Sequence, residues 1–318
     1  LELDRKQSLL GFNKLLRIAV VLGFVLIVIG AAVRATNSGL ACPDWPLCYN
    51  QLIPYFDFQI FMEWFHRLVA AGFSFLILWI GFKLYKNKFL RKEFSLQLFA
   101  VAALLVVQIV LGGLTVLKLL DPKVVSLHLI NAVALYTVLL TMVTKARQVI
   151  DLEAGVRPEK LQIPSMLKFA LLALPVILFL QIYLGGLVSS NHAGLACPDF
   201  PMCHGKWFPP ASFLVWLQVL HRYLAFVATA LVIAAALGSY TVNLPPSMRF
   251  GLRVLPGLIV LQIFLGVANV YLQLPVLVTV MHLANAMLIY SFALVSAAEL
   301  RMNVASQKLV SPAVQEAF

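Results

Sequence analysis

The sequence predicts an all-α membrane protein. Eight transmembrane helices form two tandem, pseudo-symmetric four-helix bundles, with both termini cytoplasmic. Three observations carry that expectation. Of the 318 residues, 62% are hydrophobic and 12% charged, far too little polar surface for a soluble domain of this size. Apolar runs of roughly 20 residues, enough to cross a bilayer, recur along the whole length. The loop GLACPDWPLC at 39–48 returns as GLACPDFPMC at 194–203, identical at eight of ten positions.

The spans fall at 15–36, 60–82, 95–117, 124–144, 166–188, 213–240, 250–272 and 276–299. Each must be a helix, because a backbone in hydrocarbon has to satisfy its own hydrogen bonds. The first apolar run continues into a full-length span and does not end at a cleavage site, so it reads as a helix and not as a leader. Basic residues orient the set. Arg5, Lys6, Lys14 and Arg17 precede the first span, and Lys83, Lys86, Lys88, Arg91 and Lys92 follow the second. Lys145, Arg147, Arg157, Lys160 and Lys168 follow the fourth, Arg249 and Arg253 the sixth, and Arg301 and Lys308 the eighth. Those 18 of 24 basic residues share one side of an eight-span chain, the cytoplasmic side by the positive-inside rule. The net charge of +11 is therefore an orientation signal and not a nucleic-acid footprint.

The repeat extends beyond the loop. At an offset of 155, Trp64-Phe65-His66-Arg67 falls on Val219-Leu220-His221-Arg222. At 154, His128-Leu129-Ile130-Asn131-Ala132 falls on His282-Leu283-Ala284-Asn285-Ala286, and Gly112 on Gly266. The chain thus divides into an amino-terminal half, 1–155, and a carboxy-terminal half, 156–318, joined by the polar segment Asp151–Pro164. An even number of spans per half makes the repeats parallel, related by an axis along the membrane normal. Small residues recur at Gly30-Ala31-Ala32, Gly112-Gly113, Gly185-Gly186 and Gly266-Val267-Ala268, open to two readings: close helix packing or room for a flat prosthetic group.

The four cysteines, Cys42, Cys48, Cys197 and Cys203, fall in the first and fifth loops, on the outer, oxidising side of this topology. Two thiols six residues apart in each loop read first as local disulfides, Cys42–Cys48 and Cys197–Cys203. A four-thiolate zinc site is the rival, although the usual Cys-x2-Cys spacing is missing.

Four of six histidines lie within spans: His66, His128, His221 and His282, on the second and fourth helices of each half. His66 and His128 each precede a basic boundary residue, Lys83 and Lys145, by 17 positions, about 26 Å at the helical rise. His282 precedes Arg301 by 19, about 28 Å, so the imidazoles share one depth just inside the outer surface. Ionisable side chains in a span are costly unless employed. Two imidazoles from facing helices are the ligand set of a six-coordinate haem in a bundle. Arg67 and Arg222 each follow a histidine and are placed either to pair with haem propionates or to snorkel to the surface.

The halves differ at one position. Glu63 lies three residues before His66 on the same helix face, whereas its equivalent is Gln218. An acid beside one pocket and an amide beside the other predicts proton-coupled chemistry in the first half and a permanent cofactor in the second. The plainer alternative is that Glu63 orients His66 or pairs with Arg67.

Over nearly its whole length the chain resembles the haem A synthase family. The resemblance rests on the two four-helix halves, Glu63-x-x-His66-Arg67, His128, His221-Arg222, His282 and the two cysteine loops. It implies an oxidoreductase that oxidises a methyl group of haem O, through hydroxylated intermediates, to the formyl group of haem A for terminal oxidases. It implies His221 and His282 as axial ligands of haem b, and His66 and His128 as residues flanking the substrate haem O. It also implies Glu63 as the catalytic acid and Cys42/Cys48 as the pair beside the substrate site, with Cys197/Cys203 less directly required. The expected setting is a bacterial cell (inner) membrane with the cysteine loops on the outer face. The expected partners are haem O, haem O synthase, an electron acceptor or donor and membrane lipid, with no nucleic acid and with homo-oligomerisation open.

A different class, the non-enzymatic dihaem electron carrier of the cytochrome b561 type, is disfavoured by the common depth of the histidines and by the Glu63/Gln218 difference. A transporter of parallel repeats lacks charged residues at the midplane. His192 and His204 beside the second cysteine pair read as surface residues before a metal site. Gln108, Gln181 and Gln262 recur just before glycines, positioned to hydrogen-bond across helices or to touch a cofactor. The segment from Asn303 onward is expected to be disordered or surface-bound.

Overall fold

The computed structural model describes residues 2–156, 161–210 and 212–315. These residues form eight long helices: α1 (Glu2–Ala35), α2 (Phe58–Lys86), α3 (Lys88–Leu117), α4 (Pro122–Glu153), α5 (Ser165–Ser190), α6 (Phe213–Gly238), α7 (Pro246–Tyr271) and α8 (Val276–Gln315). All eight are long and apolar enough to cross a membrane, so the chain is an integral, multi-pass membrane protein.

The expected spans all appear, and the differences lie at their ends. α1 begins at Glu2 and not near 15, α3 at Lys88 and not 95, and α4 runs to Glu153, into the expected linker. Of that linker, 157–160 lie outside the described residues. α8 continues to Gln315, through most of the expected tail. Hydropathy marks only the part of a helix in hydrocarbon; intrahelical hydrogen bonds do not stop where lipid does.

Caps set several boundaries. Asp57 accepts from the Gln59 and Ile60 amides to start α2. Asp121 does the same for Lys123 and Val124, with Pro122 opening α4. Asn87 closes α2 and also caps α3 through Phe89 and Leu90, so one residue turns the chain. These oxygens satisfy amides that a helix start leaves without partners.

α1 packs on α2 and α4, and α3 also packs on α2 and α4; α5 packs on α6 and α8, and α7 on the same two. α1, α4, α5 and α8 meet in the middle. Their shared core joins Ile27, Val133 and Leu140 to Leu174, Leu178 and Met287. Two hydrogen bonds cross it reciprocally. Tyr136 Oη lies 2.7 Å from Ser291 Oγ, and Tyr290 Oη lies 2.6 Å from Thr137 Oγ1. Tyr136 and Tyr290 are equivalent at the offset of 154, as are Thr137 and Ser291. This is the isologous pattern of a two-fold contact.

Tyr136→Phe and Tyr290→Phe are each expected to cost about 0.6 kcal/mol, the mean for hydrogen bonds between membrane helices. Thermal unfolding in detergent should show equal effects from the two substitutions.

Candidate functional site

Each cysteine loop is a small closed structure. Cys42–Cys48 and Cys197–Cys203 are disulfide-bonded, with S–S distances of 1.97 and 1.99 Å, which removes the zinc alternative. Cys48 and Gln51 exchange backbone hydrogen bonds, as do Cys203 and Lys206. Asp44 accepts from the Tyr49 and Asn50 amides at 2.6 and 2.7 Å, and Asp199 from His204 and Gly205 at 2.7 Å each. The Asn50 amide foremost holds the Asp44 carboxyl below its ordinary range, and the Gly205 amide foremost does so for Asp199. These ties are therefore present above the ordinary carboxylate pKa and are lost as pH falls through the lowered one.

The arginines after the histidines are spent on these loops. Arg67 Nη1 donates to the carbonyl of Asp44 at 2.7 Å and to that of Leu47, and Nη2 donates to Cys42 O at 3.4 Å. Arg222 repeats this with Asp199 O at 2.7 Å, Met202 O at 2.5 Å and Cys197 O at 3.1 Å. Both arginines thus hold their loops through backbone carbonyls.

Glu63 is buried, 4% exposed. Its Oε2 accepts from the Cys42 amide at 2.8 Å and its Oε1 from Arg67 at 2.6 Å. The carboxylate thus ties the first cysteine to the helix carrying His66, one turn away. In the second half Gln218 Nε2 donates to Gly194 O at 3.2 Å, and its buried Oε1 has no partner among the described residues. Trp45, in the first loop, lies against α3 where a Cβ on Gly113 would meet its ring at 3.3 Å.

The four histidines reach back to the preceding helix. A Cβ placed on Gly30, Gly112, Gly185 or Gly266 would meet Cε1 of His66, His128, His221 or His282 at 3.3, 3.2, 3.1 and 3.2 Å respectively. The glycines therefore make room for imidazoles, the close-approach use of the residue. Gln108 Nε2 lies 3.3 and 3.2 Å from the two ring nitrogens of His128, Gln181 Nε2 lies 3.1 and 3.4 Å from those of His221, and Gln262 Nε2 lies 3.2 Å from Nε2 of His282. Spacing located these glutamines but gave them no partner.

The remaining histidines take no part in such a pair. His192 Nε2 lies 3.3 Å from Arg34, and His204 Nε2 lies 3.1 Å from the Ala196 carbonyl. Among the described residues no group of three or more His, Cys, Asp or Glu is placed to hold a metal ion. Two imidazoles per half match the axial needs of a porphyrin iron, which brings its own four equatorial nitrogens. Buried Nδ1 atoms of His66 and His282 without hydrogen-bond partners fit that use. These are polar atoms in an apolar layer whose satisfaction is left to something other than the described protein.

Fold and site together define a polytopic helical membrane protein with two helix-borne histidines in each half. Comparison with known sequences makes the family explicit. The chain belongs to the family described as cytochrome oxidase assembly protein (COX15-CtaA), whose model matches residues 13–59 and 55–294. It is similar to the protein named "Heme A synthase" of Shewanella oneidensis, 30% identical over 86% of this chain and 92% of the relative. Relatives of the same name from Bacillus licheniformis, at 29% identity over 84% and 88%, and Geobacillus thermodenitrificans, at 28% over 81% of each, match as well.

Arg67→Gln is expected to cost about 3 kcal/mol by leaving the Glu63 carboxylate buried and unpaired. Arg222→Gln strands no carboxylate and should lower the melting temperature in detergent by less.

Proposed function

We propose that the chain is a haem A synthase, an oxidoreductase that converts a methyl group of haem O through hydroxylated intermediates to the formyl group of haem A. Membership of the family and relatives named "Heme A synthase" along most of the chain support an enzyme of haem A biosynthesis. The observation that carries the finer reading is the difference between Glu63 and Gln218 at otherwise repeated sites.

In this reading residues 156–318 hold haem b through His221 and His282, and residues 1–155 hold haem O as substrate between His66 and His128. Haem b held there by His221 and His282 would supply one-electron transfer. Oxidation at the substrate methyl carbon sheds protons. Glu63 is the group suited to take them: a buried carboxylate one turn from His66, with Arg67 compensating its charge. The Cys42–Cys48 loop caps the pocket from the aqueous side and keeps Glu63 in place through the Cys42 amide. Arg67 and Arg222 act as positioning residues for their loops. The basic residues at the opposite helix ends and the disulfides, which need an oxidising compartment, support cytoplasmic termini and outward loops in a bacterial inner membrane. Haem O synthase and an electron acceptor or donor are the partners this activity calls for.

Co-expression with haem O synthase, followed by chromatography of extracted haems, tests the reading. The wild-type chain should yield haem A. Glu63→Gln, which keeps the Cys42 contact but not the proton affinity, should lower that yield about 100-fold, the low end for loss of a general base. Haem b alone, with no haem A from the wild type, would favour the electron carrier. An undiminished yield from Glu63→Gln would remove its proton role. Cys42→Ser with Cys48→Ser should lower haem A output more than the matching changes at Cys197 and Cys203; equal losses would make both loops simple structural closures.

A further inference from the structure

Six basic residues lie at the helix ends and loops on the side of the disulfides: Arg34, Arg67, Lys118, Lys123, Lys206 and Arg222. Arg67 and Arg222 donate to loop carbonyls through both terminal nitrogens. Lys118, Lys123 and Lys206 are exposed. Arg34, in the last turn of α1, is partly buried and forms no ion pair among the described residues. Only its Nη2 is engaged, donating to the Ser189 carbonyl at 3.0 Å and lying 3.3 Å from Nε2 of His192. Nη1 and Nε make no hydrogen bond among the described residues.

The repeat defines where this guanidinium sits. Arg34 and Ser189 are equivalent at the offset of 155, and a contact between equivalent positions lies at the pseudo-two-fold axis. Arg34 stands one turn, about 6 Å, beyond Gly30, which makes room for His66. Ser189 stands one turn beyond Gly185, which does the same for His221. The seam between the halves is tightly packed here. Ser126 Oγ of α4 lies 2.8 Å from Ser190 Oγ of α5, and a Cβ on Gly186 would meet Leu129, the residue after His128, at 2.9 Å. The halves also differ at these positions: Ser189 carries no charge, and Asn37 stands where the second half has His192 (192 − 155 = 37). The cation thus belongs to α1, which packs on the helices of His66 and His128, and α5 has no counterpart.

A partly buried guanidinium without a carboxylate is a place for one, since charge-assisted bonds to planar anions are what its fixed donors serve best. A porphyrin seated at His66 and His128 keeps its two propionates out of hydrocarbon by turning that edge toward the loop side, the side on which Arg34 stands. We infer that Arg34 binds a propionate of haem O in the amino-terminal pocket. Ser189 O and His192, both from the other half, hold Nη2 and so aim the guanidinium; Nη1 and Nε keep three N–H groups for the carboxylate. A propionate held there fixes the rotation of the ring about the line joining its two imidazoles, and with it the methyl group that the pocket presents. The two halves therefore build one substrate contact together. The inference rests on the reading that haem O occupies the amino-terminal half.

Binding tests it without reference to turnover. The full-length chain in lipid nanodiscs, carrying the haem b acquired on expression, is titrated anaerobically with haem O and, separately, with haem O dimethyl ester. Porphyrin absorbance gives each affinity, and comparing wild type with variant for both ligands isolates the carboxylate contact. Arg34→Gln should weaken haem O binding about 10- to 100-fold, the worth of a hydrogen bond to a charged group. Its affinity for the ester and its haem b content should match the wild type. Arg34→Lys, which keeps the charge but not the planar donors, should lose less. Equal losses for acid and ester make Arg34 a strut between the halves and overturn the inference, as does an unchanged haem O affinity. Loss of haem b with haem O affinity intact moves the contact to the other pocket and overturns it too. Should Arg34→Gln fail to fold, the same comparison in Arg34→Lys decides: a loss confined to the acid supports the inference, and any other result overturns it. A wild type that binds neither ligand removes the reading of the amino-terminal half itself, and the inference falls with it.

Discussion

Four imidazoles must sit in a layer where water is scarce, and the rest of the structure answers that constraint. A polar ring among lipid-facing helices costs free energy until neighbours satisfy it. Glycines on the preceding helices let each ring approach a backbone closely, glutamines meet three of the four, and Arg67 and Arg222 tie the cysteine loops to the helices that carry His66 and His221. The helix pair is thus the unit of construction, and its local purpose is to place a histidine. Even the turns take part: Leu120 and Leu274, at the α3–α4 and α7–α8 turns, pack where a Cβ on Gly39 or Gly194 would meet them at 3.3 and 3.1 Å. The glycine that opens each GLAC motif is the space those leucines need.

Duplication explains the sameness of the halves, and small chemical differences separate them. Gln218 reaches only a backbone carbonyl where Glu63 joins Arg67 and the Cys42 amide. Phe200 takes the place of Trp45, and its ring lies 5.7 Å from the Arg222 guanidinium, whereas Trp45 lies on Gly113 of α3, next to the glycine that receives His128. The first loop therefore rests its aromatic side chain on α3, whereas the second places its own near the Arg222 guanidinium.

Much of this was legible in the residues. Hydropathy located the eight helices because burial in lipid leaves a composition signal, and the repeat aligned the histidines because identical spacing survives in sequence. The cysteine pairing followed from separation and compartment. What was hidden are contacts that cross between helices. Gly30 and His66 are 36 positions apart in the sequence (66 − 30), and nothing local states that one makes room for the other. Arg67 and Arg222 follow histidines in sequence, yet they turn toward loop carbonyls about 20 residues upstream. Helix ends were misjudged where polar turns extend beyond hydrocarbon, since hydropathy reads the solvent and not the hydrogen bonding.

The reciprocal bonds of Tyr136 with Ser291 and Thr137 with Tyr290 reach beyond stability. A contact in which each side offers a tyrosine and accepts through a hydroxyl is self-complementary, so two copies of one half-length chain could have made it before fusion. The join between α4 and α5 then adds little recognition of its own; it raises the local concentration of two surfaces that already match. A chain cut in that join retains everything the interface needs for reassembly. Descent from a symmetric pair would also account for Glu63 in one half and Gln218 in the other, since fusion is the event that first lets equivalent positions diverge.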